Sequence, residues 1–504
     1  MNYKPIHMKL LSFLLFIVCT VPATAQTNTF YKEKYRPQFH FTPAIHWTND
    51  PNGLVYHRKE YHLFYQFNPF GNRWGHMSWG HAVSKDLVHW EHLPLAIPEE
   101  KDTMIFSGTC ISDTYNTSGF ADQPGRIPMI AIYTAHVDNV SQTQHLAYSL
   151  DEGRTWTKYN KNPILDIGSK EFRDPQVFWY EPQKKWVMSV VLAQEKKIRF
   201  YSSHNLKEWT QLSEFGPTGD VSGIWECPDL FEVPVTGEPG KMKWVLMHSP
   251  APYMQYFVGE FDGTSFKNEN PATKIFRPDY GPDYYAAITY KNLTANTPPT
   301  SLGWANNWNY ANDIPTTPWK SAMSLPRKLS LKKINNEWIL LQNPVDAVQS
   351  LRETVAIRLK NETISIKKLA IHTQQCELEV TLKLSTGSTS GVRLAAGNGH
   401  EIEIGYDMAK QAVYIDRSKT SNQGFHANFE KLNRFESKLP LTNNTLQLHI
   451  FFDHSIVEVF ANGGETALTA QLFPDQKDDG IELFSTKGTA TLLSLSLWKL
   501  KSIW

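Results

Sequence analysis

Three segments of this chain share one local grammar, and their repetition limits the possible fold more than any other feature. Gly80–Ser84 leads through Asp86 to Trp90, His145–Ser149 through Asp151 to Trp156, and Arg199–Ser203 through Asn205 to Trp209. A weaker fourth copy runs from Tyr256 through Asp262 and Gly263 to Phe266. Each reads as a strand, a polar turn and a second strand carrying an aromatic residue. A strand-built unit recurring roughly every 50 to 70 residues predicts propeller blades rather than a solenoid or a sandwich. A second series lies just upstream of these hairpins. Asp50, Ser107, Asp174, Glu226 and Asp283 each stand immediately before an apolar strand. Five such starts predict five blades, with their innermost strands side by side around one axis.

The repeat fades after Arg327–Leu331. From about Arg352 the texture changes to long alternating strands with almost no tryptophan, and a hairpin is expected around Asp453-His-Ser455. The chain therefore reads as all-β: a five-bladed β-propeller over 26–344, a linker over 345–351 and a C-terminal β-sandwich over 352–504. Residues 1–25 read as a signal peptide. Lys4 and Lys9 precede the apolar run Leu10–Val18, and Ala23-Thr-Ala25 offers a small-residue cleavage site. Export to the periplasm or the medium is the expectation. The apolar run is too short to span a bilayer, and no other stretch approaches the roughly 20 residues required. Cys19 directly follows Val18, where lipid attachment would call for a small residue. The remaining Cys110, Cys227 and Cys376 are too few and too scattered for a disulfide framework or a zinc site.

Lys+Arg and Asp+Glu are equal at 50 each, without a basic block, so nothing electrostatic favours nucleic acid or an anionic membrane as partner. Aromatic residues make up 13% of the chain, including 16 Trp, which suits both β-rich cores and stacking against sugar rings. Trp74 and Trp304 fit either role equally.

Three acids stand at the starts of predicted inner strands: Asp50, Asp174 and Glu226. Cleaving a glycosidic bond needs two carboxyl groups, one to protonate the leaving oxygen and one to attack the anomeric carbon or activate water. An Asp before Pro, as at Asp50 and Asp174, often does no more than shape a turn. Glu226 is harder to dismiss, because a carboxylate between Trp225 and Cys227 at an apolar strand start needs a partner or a task. Their shared position in the blade favours function. His76 and His81 have no third metal ligand at a familiar spacing and read as structural. Strand alternation points Cys227 away from the acids and into packing.

These motifs resemble glycoside hydrolase family 32, the invertase, inulinase and levanase family. The similarity rests on Asn49-Asp-Pro-Asn-Gly53, Gln66-Phe-Asn-Pro69, Trp79–Trp90, Phe106-Ser-Gly108, Arg173-Asp-Pro175, Glu226-Cys-Pro-Asp-Leu-Phe231 and the late Phe452–Phe460. Thr109-Cys110 departs from the small polar and apolar pair common after the Phe-Ser-Gly motif. The resemblance implies a secreted retaining β-fructosidase acting on terminal fructosyl units of levan- or inulin-type fructans, and on sucrose. Asp50 would be the nucleophile, Glu226 the acid/base and Asp174 the transition-state stabiliser. Asn49, Gln66, Trp74, Phe106, Ser107, Arg173, Asp283 and Trp304 would bind the sugar, with no cofactor and no metal. Endo-acting levanase, fructosyl transfer and a non-catalytic fructan-binding role are the alternatives. Monomer and dimer stay equally open.

Overall fold

The computed structural model describes residues 1, 30–295 and 297–504, so the expected signal peptide lies, beyond Met1, outside the described residues. Five small sheets occupy the first part of the chain. Their innermost strands are His46–His57, Met104–Ser112, Phe172–Tyr180, Trp225–Pro234 and Tyr285–Thr289. These touch in cyclic order, the fifth returning to the first, which makes the arrangement a five-bladed propeller. Two parallel contacts close the ring: Trp319–Lys320 pairs with His46 and Trp47, and Lys291 bridges Val55.

The repeated hairpins are the two outer strands of blades one to four. Their turns share one hydrogen-bond scheme. Ser84 Oγ accepts from the N–H groups of Asp86 and Leu87, while Asp86 Oδ1 accepts from Val88 and His89. Ser203 with Asn205 repeats the set, Ser149 with Asp151 repeats most of it, and Asp262 alone holds the fourth turn. Backbone donors that leave the sheet are thus satisfied locally, which is why Ser and Asp or Asn recur there.

Every inner strand carries a two-against-one irregularity at the same end. Asn49–Asp50 stands opposite Gln66, Phe106–Ser107 opposite Thr134, and Asp174–Pro175 opposite Val190. Cys227–Pro228 stands opposite His248, and Ala286–Ala287 opposite Gly303. Asp174, Cys227 and Ala286 adopt left-handed backbone angles there, with φ of 61°, 48° and 51°.

After a 3₁₀ turn at Asp346–Leu351, two antiparallel sheets of seven and six strands face each other across an aliphatic core. The junction with the propeller is ionic and fully buried. Arg327 of the fifth blade donates to Asp279 at 2.9 Å, to Glu458 at 3.2 Å through Nε and to Thr469 at 2.7 Å. Glu458 also meets His40 Nε2 at 3.0 Å, while Asp453 takes His40 Nδ1 at 2.8 Å and the N–H groups of Gln38, Phe39 and His40. Burial alone would depress His40, but its hydrogen bonds to Asp453 and Glu458 prevail and lift it to about 9. Alongside, Tyr280 and Asp283 donate backbone N–H bonds to Ala467 and Thr469. Between them Gly281 lies so close that a Cβ would stand 2.1 Å from the Thr469 carbonyl oxygen.

Glu458→Ala strips one carboxylate from both Arg327 and His40, and a loss of about 3–5 kcal/mol is expected, read as a lower thermal midpoint. The raised His40 value adds stability that is complete below about pH 6.5 and fades as pH rises through about 9. A His40→Gln variant should lack that alkaline component when midpoints are compared between pH 6 and 9.5.

Candidate active site

The five irregularities gather polar groups at one end of the propeller axis. Asp50 is only 8% exposed. Its carboxylate accepts Ser107 Oγ at 2.7 Å and Asn49 Nδ2 at 3.0 Å, and Asn49 is itself held by Trp47 Nε1 at 2.7 Å. Gln66 lies directly opposite Asn49–Asp50 and donates to the Ile105 carbonyl at 3.0 Å, joining blade one to blade two. Asp174 accepts the Cys227 N–H at 3.0 Å, and its own N–H donates to Thr134 Oγ1.

Glu226 is the most open of the three acids, with its side chain 21% exposed. Arg173 reaches one of its oxygens at 3.2 Å, and the Tyr285 hydroxyl donates to the other at 2.5 Å. Arg173 also donates to Gln142 and Glu171 and lies 4.0 Å from Asp174. One guanidinium therefore serves several carboxylates. Burial, then the Glu226 charge, pushes Asp50 up to about 6, against the Ser107 and Asn49 hydrogen bonds. Burial pushes Asp174 up to about 7; Arg173 opposes this, and Glu226 and Asp50 add to it.

The structure corrects three expectations. Cys227 does not point away: its Sγ lies 3.5 Å from Asp50 Oδ2 and 3.7 Å from Asp174 Oδ2. The irregularity at Cys227–Pro228 breaks the alternation on which that expectation rested. Burial and the flanking carboxylates hold its thiol well above the usual range, so it acts as an S–H donor. Asp283 is fully buried at the junction with the sandwich, its oxygens taken by Tyr310 at 2.5 Å, Arg417 at 2.8 Å and the Gln471 N–H at 2.7 Å. Sealed from solvent and held by three donors, it is out of a sugar's reach, and the fifth blade contributes Tyr285 instead. Trp304 is a fully buried core residue. Trp308, 4.7 Å from it and stacked on Trp47 at 6.1 Å, is only half-buried.

Trp74 is 42% exposed, with its ring 6.2 Å from Phe106, which in turn stacks on His136 at 4.2 Å. Tyr285, Trp308 and Gln142 were not singled out from sequence. Tyr285 stands two residues past a recognised strand start, whereas Gln142 opens an outer strand, Ser141–Ser149, without a local signal. His76 and His81 are not paired: the first is exposed beside Glu99 and the second is buried against His62. Among the described residues Glu377, Glu379 and His449 bring possible metal-ligand atoms together, but Arg352 already spans both carboxylates at 2.6 and 2.8 Å.

Comparison with known proteins shows what the chain and its fold are similar to. The N-terminal domain model of glycosyl hydrolases family 32 matches residues 40–344, and the family's C-terminal model matches 347–499. A levanase of Bacillus subtilis is 45% identical over 99% of this chain and 76% of its own length. An extracellular exo-inulinase of Aspergillus niger is 38% identical over 97% of the chain and 98% of its own. The crystal structure of exo-inulinase from Aspergillus awamori superposes with a TM-score of 0.89 at 36% identity, covering 94% of this chain and all of that one. A fructofuranosidase from Schwanniomyces occidentalis complexed with fructose gives 0.85 at 32%, over 94% of this chain and 99% of its own.

A step that needs ionised Asp50 should fade as pH falls through about 6, rather than near the ordinary carboxylate value. The acid limb of kcat/KM against pH measures this. Ser107→Ala removes a donor to the ionised form and should move that limb to higher pH.

Proposed function

The chain belongs to glycosyl hydrolase family 32, and we propose that it works as an exo-acting, retaining β-fructosidase on fructans and sucrose. The observation that carries this reading is the grouping of Asp50, Asp174 and Glu226 around Cys227 and Arg173, with Asp50 deep and Glu226 nearer the opening. The relatives named as levanase and exo-inulinase support the substrate class.

In this reading a terminal fructosyl unit enters with its anomeric carbon facing Asp50. Ser107 and Asn49 hold the carboxylate so that one oxygen is aimed at the carbon. Asp50 attacks as the bond to the leaving oxygen breaks, and Glu226 delivers a proton to that oxygen. The resulting carboxylate of Glu226 then takes a proton from water, which attacks the same carbon and returns Asp50 to its ionised form. Arg173 and Tyr285 grip one oxygen of Glu226 each, fixing its direction through both halves of the cycle. Asp174, beside Arg173 and anchored by the Cys227 N–H, faces the positive charge that develops on the sugar ring. Trp74, Phe106 and Gln66 would wall the ring. The burial of Asp50 favours a chain end over an internal unit, which is the basis for exo action. The sequence pattern of residues 4–25 supports export.

Product analysis tests the reading. Incubation with levan, inulin and sucrose separately should release free fructose from the first minutes, and a ladder of oligosaccharides would overturn exo action. Asp50→Asn should abolish release. Glu226→Gln should lower kcat about 100- to 10,000-fold, and less for a substrate whose leaving group needs no proton.

A further inference from the structure

Exposed large apolar side chains are unevenly placed on the propeller. Val140, Ile167 and Val221 are 63%, 36% and 41% exposed, and all three lie on connections at the end of the axis that holds the acids. Val140 sits in the turn between Met129–Val137 and Ser141–Ser149, beside Gln142, which accepts from Arg173 at 3.2 Å. Ile167 lies between Leu165 and Ser169, whose carbonyls accept the N–H groups of Gln144 and Gln142. Val221 follows Asp220, whose carbonyl accepts Trp225 Nε1 at 2.9 Å, one residue before Glu226. The three therefore come from connections of blades two to four at the end of the axis that carries Arg173 and Glu226.

Such placement has a chemical use if the reading above holds. A proton donor must sit beside the oxygen it protonates, so the leaving part of the substrate lies over Glu226. The wall of Trp74, Phe106 and Gln66 belongs to blades one and two, on the other side of Asp50. Sugar rings present apolar C–H patches between their hydroxyls, and exposed aliphatic side chains next to polar neighbours in the chain, such as Asn139 and Asp220, offer a mixed surface to match. Sucrose, with one residue beyond the scissile bond, would reach little of this arc, whereas a polymer would cross it.

We propose that Val140, Ile167 and Val221 form a docking arc for the leaving fructan chain, raising affinity for polymer without entering the chemistry. The test is the triple variant Val140→Ser, Ile167→Ser, Val221→Ser, assayed on levan, inulin and sucrose beside the unaltered chain. The expected result is a roughly tenfold fall in kcat/KM on at least one polymer, carried by KM, with sucrose kinetics and thermal midpoint unchanged. Unchanged polymer kinetics, or an equal fall on sucrose, overturns the docking arc and leaves the fructosidase reading standing. An unaltered chain that releases fructose from none of the three overturns both.

Discussion

The site depends on one backbone device used five times. Each inner strand enters the ring with two residues opposite one, and each of these irregularities lies at the same end of the axis. A regular strand sends successive side chains to opposite faces of its sheet, each face packed against one neighbouring blade. The extra residue turns the local backbone, so neighbours such as Asp50 and Ser107, or Cys227 and Asp174, meet across blades instead of facing apart. The left-handed angles at Asp174, Cys227 and Ala286 are the local cost of that turn. Ring closure between blades five and one holds the strands in place, so the cost is borne by the whole propeller.

Charge sets the second constraint. Asp174, Glu226 and Glu171 meet a single guanidinium, that of Arg173, and Asp50 stands outside its reach. Burial and mutual repulsion raise Asp50 and Asp174, and hydrogen bonds from Ser107, Asn49 and the Cys227 N–H limit the rise. The acids thus differ by surroundings rather than by residue type. Asp50 is enclosed by neutral donors, whereas Glu226 lies nearer solvent with a cation on one oxygen and a phenol on the other. The asymmetry is one of position: the enclosed Asp50 suits attack on a buried carbon, and the more open Glu226 can reach a leaving oxygen.

The sandwich is joined to the propeller by buried ionic contacts rather than by a flexible tether. Glu458 and Asp453, within the late motif that resembles the family signature, bind His40 before the first blade, and Glu458 also binds Arg327 in the last. The same domain thereby ties together the two ends of the ring. Arg417 and Tyr310 do likewise for Asp283, just ahead of the strand that carries Tyr285. The sandwich thus braces the blade that positions Glu226, a physical route from the second domain to the site.

Much of this was legible in the residues alone. The Ser-x-Asp turns announced repeated hairpins because their hydrogen bonds are local, closing within a few residues of each other in the chain. The polar starts before apolar strands announced the blades, and the motif order announced the family. What failed was every inference that assumed regular alternation or ignored the second domain. Cys227 faces the acids because an extra residue in the strand reverses its side, and Asp283 is taken by Arg417, a residue 134 positions away. Trp304 and Trp308 look alike in sequence, and only packing buries the first and leaves the second half open. The sequence by itself determined which turns form, how many blades there are and which acids stand at their starts, because those depend on short-range chemistry. The tertiary structure decided which side chains face the axis and which acids stay free, because both depend on partners that only ring closure and domain contact bring into reach.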